Sequence, residues 1–171
     1  MASTPRHSVK ATRIVTKIGD IFEVPLDGKT KKYFQYVAID GTQLNSSVIR
    51  AFKKEFPLEA QVTPDQITNL EVEFFAHTVL RVGIVLNLWR KVGKSSNIGN
   101  LDAVFRGTND ILDQQIRVSE NWYIWKINMR MQEVGKLVGD HQKADIGLVF
   151  PAKHIVERMR TGRFSFKYPQ F

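Results

Sequence analysis

A chain of 171 residues, 43% of them hydrophobic, can bury roughly 70% of its unfolded-chain surface in a single core without a metal or disulfide staple. It has no cysteine, which excludes a disulfide framework, a cysteine nucleophile and any thiolate-bearing zinc or iron–sulfur site. The net charge of +8 admits a polyanionic partner, yet lysines and arginines are spread along the chain without a long basic block, as on an ordinary soluble surface.

Residues 1–11 are polar and offer little apolar surface to offset the cost of ordering, so they read as a flexible segment ahead of one mostly β domain over 12–171. The start carries no apolar signal region, and no later apolar run approaches the ~20 residues that span a bilayer, so the chain reads as a soluble cytoplasmic protein with no membrane partner.

The run Ile18-Gly19-Asp20-Ile21-Phe22-Glu23-Val24-Pro25-Leu26 places Phe22, Val24 and Leu26 on one face of a strand, and Asp27-Gly28 supplies a turn. The following strand, Lys31 to Asp40, is apolar on both faces and therefore central. Val48 to Phe56 fits a strand or an amphipathic helical segment, and the strand is preferred. Thr63-Pro64-Asp65-Gln66 marks a helix start, with threonine as N-cap, proline at the first helical position and glutamine completing a capping box.

From Val72 to Val92 a period-two set of apolar residues runs beside a helical set of Leu80, Ile84 and Leu88. The unbroken alternation and β-branched content favour two strands with a bend near Gly83. The segments around Asn97-Ile98-Gly99-Asn100 and Arg106-Gly107-Thr108-Asn109-Asp110 read as loops, Trp122 to Ile127 as a strand, and Gly135 and Gly139 as turns. Pro151 to Arg160 is a helix with Gly162 as its C-cap, and the alternating tail Phe164 to Phe171 is placed to close the sheet. The expected architecture is α+β, a small SH3-like or partly open antiparallel barrel with two short helices.

Local signatures of chemistry are few. Val92-Gly93-Lys94-Ser95 resembles the end of a phosphate-binding loop, but Leu88 stands where the loop needs glycine, so the segment reads as a basic hairpin turn. His7, His77, His141 and His154 show no metal-binding spacing, and His77 reads as a hydrogen-bonded sheet residue. No nucleophile elbow is present. Glu71 and Glu73 share a face only within a strand, and Asp20, Asp110 and Glu157 would have to meet across a barrel. They read instead as solvated charges or caps.

Aromatic residues beside cations carry more information. Trp89-Arg90-Lys91, Trp122-Tyr123-Ile124-Trp125-Lys126 and Arg163-Phe164-Ser165-Phe166-Lys167-Tyr168 combine stacking surface with positive charge, as protein-interface hot spots and base-stacking platforms do. Trp122 and Trp125 are three apart and cannot both face inward from one side of a regular strand, so one of them is an expected exposed anchor. Trp89, Arg90, Lys91, Trp122, Trp125 and Arg163 are the expected partner-binding residues. No catalytic, cofactor or metal residues are expected.

The stretches Lys17 to Leu26, Tyr33 to Ala38, Val48 to Phe52, Gly83 before Trp89, and Asn121 to Trp125 resemble the immunity protein 26 family of bacterial polymorphic toxin systems, over most of the chain. The resemblance implies a mostly β cytoplasmic protein, without enzymatic activity or cofactor, that neutralises a cognate protein toxin by direct binding. The positive charge is consistent with a toxin of acidic surface. A nucleic-acid-binding β-barrel module is the alternative, and a hydrolase with a discontinuous site around His77 is a third reading.

Overall fold

The structure, a computed structural model, describes residues 14–113 and 115–171. The segment 1–11 expected to be flexible lies outside the described residues. In chain order the strands are β1 (Asp20–Pro25), β2 (Thr30–Asp40), β3 (Ser46–Phe52), β4 (Phe56–Pro57), β5 (Val72–Thr78), β6 (Arg90–Lys94), β7 (Val104–Thr108), β8 (Trp122–Lys126), β9 (Gln132–Gly135), β10 (Asp145–Ile146) and β11 (Val149–Phe150). The α-helices are α1 (Pro64–Thr68), α2 (Leu80–Val85) and α3 (Ala152–Thr161). Among the described residues no helix is long and apolar enough to cross a membrane.

The first hairpin forms as expected. Phe22 lies opposite Phe34, and Asp27 Oδ1 closes the turn by accepting from the Lys29 and Thr30 amides at 2.8 and 2.7 Å. The strands order as β11-β5-β3-β2-β1-β6, with β4 added to β2, so β2 is indeed central. A second sheet, β10-β7-β8-β9, packs against the first. The fold is mostly β and belongs to the α+β class; the two sheets stack without closing into a barrel.

Both faces of the large sheet are covered, which explains its apolar strands. Phe22, Phe34, Tyr36, Ile49, Phe74 and Ala76 meet α3 and Trp89 on one side. A bulge between Tyr36 and Ala38 then turns Ala38 to the side of Val37, where both pack with Val48 against Phe105 and Trp125 of the second sheet. Each large apolar side chain so buried contributes about 1.5–3 kcal/mol.

The two helices expected from local signals are present. Thr63 Oγ1 accepts from the Gln66 amide and Gln66 Oε1 accepts from the Thr63 amide, the reciprocal pair of a capping box. Gly162 ends α3 at φ +78°, its amide donating to Arg158 O at 2.9 Å.

Four expectations are corrected. The segment expected to be two strands bent at Gly83 is β5, α2 and β6. The helical set Leu80, Ile84 and Leu88 wins because it packs into the core, and a Cβ at Gly83 would lie 2.1 Å from the Trp89 ring. Arg106, Gly107 and Thr108 belong to β7 rather than a loop: Gly107 is there because the Tyr123 ring passes 2.5 Å from where a Cβ would stand. Val92 to Lys94 lies in β6, paired antiparallel with β1, and is not a hairpin turn. The tail after α3, expected to close the sheet, makes a single isolated bridge, Gln170 to Val118, and packs chiefly through its rings, with Phe164 stacked 4.0 Å from Phe150.

Candidate functional site

All three tryptophans expected at a binding surface are buried, at 1–3% exposure. Trp89 donates from Nε1 to Leu80 O at 3.0 Å and meets Phe34 edge-on at 5.1 Å. Trp125 faces the large sheet. Trp122, on the opposite face of β8, packs on Tyr168 and Phe171. The argument that one of the pair must be exposed fails because the second sheet, too, is covered on both faces.

The expected cations do reach solvent. Arg90 and Lys91 stand on the edge strand β6, and both are ion-paired, to Glu23 Oε1 at 2.8 Å and Asp20 Oδ1 at 2.8 Å. Charged residues on an edge strand discourage uncontrolled strand pairing. Glu23 also accepts from the buried Lys31 Nζ at 2.9 Å. Burial pushes the Glu23 carboxyl up, but the bonds from Lys31 and Arg90 outweigh it and hold it below the usual carboxylate range.

At the junction of the sheets lies a polar cluster whose sequence signal was only a lone strand histidine. Asp40 Oδ2 accepts from His77 Nε2 at 3.0 Å and from Trp125 Nε1 at 3.0 Å, and Asp40 Oδ1 accepts from the amides of Asn128 and Gln43. Burial raises the Asp40 carboxyl, and these four donors more than reverse the effect. For His77 burial dominates over the attraction of Asp40, so its pKa falls and the ring is neutral at pH 7. With an ionised Asp40 able only to accept, Nε2 carries the proton. Both side chains are at 0% exposure, out of reach of any substrate in this conformation.

The remaining carboxylates considered at the sequence level do not converge. Glu71 pairs with Lys53, Glu73 with Lys32 and Asp20 with Lys91, while Asp110 accepts from Ser119 and Asn121, and Glu157 from Ser165. Among the described residues no three His, Asp or Glu side chains gather as metal ligands.

Two surface features remain. On α2 and its two flanks, inward packing of Leu80, Ile84 and Leu88 leaves Val79, Val82, Val85 and Leu86 facing solvent at 44–59% exposure, next to the exposed Arg81. A contiguous run of exposed valine and leucine is uncommon on a monomer and marks contact surfaces. Beside the end of α3, a cavity of about 370 Å³ is lined by Arg106, Lys143, Asp145, Arg158, Arg163 and the rings of Phe164, Phe166 and Tyr168. Arg163, an expected site residue, is thus part of this cavity's lining. Arg106 falls in an expected loop and Arg158 in an expected helix, and no local pattern in the sequence joins them.

The chain matches no family model, and no curated protein or solved structure matches it.

Proposed function

We propose that the chain is a non-enzymatic binding protein that docks an acidic protein partner through the exposed face of α2, and that this partner is a bacterial toxin it neutralises, as the resemblance to the immunity protein 26 family implies. The observation that carries the reading is the apolar run Val79, Val82, Val85 and Leu86, left in solvent by a helix whose other side fills the core. An apolar centre with a charged rim is the anatomy of a protein interface. Arg81 sets an exposed cation beside the run, and the net charge of +8 favours encounter with an acidic surface.

The nucleic-acid alternative draws less support, because the three tryptophans that would stack bases are buried and Arg90 and Lys91 already hold carboxylates. The test is co-expression with toxic domains of bacterial polymorphic toxins, scored by growth and by co-elution of the two proteins. Restored growth with a complex that survives high salt is the expected result. No protection, with only salt-labile nucleic acid recovered, overturns the reading in favour of the alternative.

A further inference from the structure

We propose that the cleft between the C-terminal end of α3 and the β7–β10 edge of the second sheet is a binding site for a small phosphomonoester carrying a planar ring. Four cations, Arg106, Lys143, Arg158 and Arg163, line it against one carboxylate, Asp145. They come from β7, from the turn before β10, from α3 and from the turn after α3, so the charge is gathered by the fold and not by a run of sequence.

The two inner arginines are held in place before any ligand arrives. Arg106 donates from Nη1 to the carbonyls of Gln142 and Ala144 at 3.0 and 2.5 Å, and its guanidinium lies over the Phe171 ring at 4.9 Å. Arg158 lies over Phe74 at 5.1 Å and Phe164 at 5.7 Å. Each keeps a buried Nε without a hydrogen-bond partner, an arrangement that needs explanation in a folded protein. Stacked, pre-positioned guanidinium groups lose little freedom on binding an oxyanion; with Nη1 of Arg106 held by two carbonyls, its Nη2 remains for a phosphate oxygen, beside the guanidinium of Arg158.

Asp145 is committed elsewhere: its Oδ2 accepts from the Phe75 amide of β5 at 2.9 Å, and it forms no ion pair with the arginines. Lys143 pairs with Asp140 at 2.7 Å, fully in solvent, and is free to swing. A carboxylate ligand would offer one negative charge and two oxygens to this group, whereas a phosphomonoester offers up to two charges and three oxygens. The cavity of about 370 Å³ exceeds a phosphate group, and Phe164, Phe166 and Tyr168 give the surplus space ring-lined walls. This site shares no residue with the exposed face of α2, so it stands or falls independently of the docking reading.

The test is calorimetric titration of the full chain at low salt with adenosine monophosphate, inorganic phosphate and adenosine. Adenosine monophosphate should bind best, inorganic phosphate at least tenfold more weakly, and adenosine not measurably. Arg163→Ala, an exposed position, and Arg158→Lys, which keeps charge and loses the planar fork, should each weaken binding about tenfold, while Lys94→Ala on the far edge should leave it unchanged. Asp145→Asn should tighten it, since the amide still accepts from Phe75 but no longer repels the anion. Equal affinity for the nucleotide and inorganic phosphate overturns the ring. Absence of heat up to about 10 mM ligand, weaker than any useful affinity, or binding indifferent to both arginine variants, overturns the site.

Discussion

The sheet junction and the cleft beside α3 are built from the same chemistry, a carboxylate among nitrogen donors and aromatic rings, with opposite outcomes. Asp40 accepts four hydrogen bonds and is closed from solvent. Asp145 accepts one, from the Phe75 amide; buried nitrogens without a partner occur at both places, His77 Nδ1 at the junction and the Nε atoms of Arg106 and Arg158 at the cleft. The carboxyls respond accordingly. At Asp40 the donors overcome burial and hold the group ionised, whereas at Asp145 burial prevails over the Phe75 amide, Arg158 and Arg106 and pushes the carboxyl up to about 6. A carboxylate saturated by four donors joins two layers; one with a single donor, beside a cavity lined by cations, leaves those cations to a ligand.

Breaking the saturated cluster should have the largest effect. Asp40→Ala strands the Trp125 and His77 donors and two backbone amides, and should cost about 3–5 kcal/mol in urea unfolding. A loss below about 1 kcal/mol would show that the sheets are joined by apolar packing alone. Gly83→Ala comes next: its Cβ would lie 2.1 Å from the Trp89 ring, and the strain of moving helix or ring should cost about 1–3 kcal/mol, read as a lower melting temperature.

At the unsaturated cluster the sign reverses. Asp145 titrates near 6 when folded and near 3.8 when unfolded, so the folded state holds this proton more tightly and burying the ionised group costs stability above pH 6. Asp145→Asn should raise the melting temperature at pH 7.5, at roughly 2–4 °C per kcal/mol gained, and the gain should fade as pH falls toward 4. A gain constant with pH would mean that ionisation of Asp145 is not its source. The smallest effect on stability belongs to Val82→Glu with Val85→Glu, both in solvent already, which should stay within about 0.5 kcal/mol per site.

Elements governed by neighbours in sequence were legible before the structure: the Asp27-Gly28 hairpin, the Thr63 capping box, the Gly162 cap of α3 and the strand from Trp122. Those decided by tertiary contact were not. The strand alternation through α2 was real, yet β-branched preference gives way when Leu80, Ile84 and Leu88 bury together and Trp89 seats on Gly83. The second sheet reverses the tryptophan argument, because coverage of both faces of β8 appears only when Tyr168 and Phe171 fold back on Trp122. Of the cleft only Arg163 was singled out. Arg106, Asp145 and Arg158 lie up to 52 residues apart and carry no common spacing.

The most direct test of the account is a side-by-side pull-down with the tagged wild-type chain and the Val82→Glu, Val85→Glu variant, matched for folding by thermal melt, against the toxin domain whose neutralisation is proposed, in low and high salt. The account predicts that the wild type retains the domain through the high-salt wash and that the variant, equally folded, loses it by at least a hundredfold. Equal retention by both proteins would contradict the assignment of the α2 face as the docking surface.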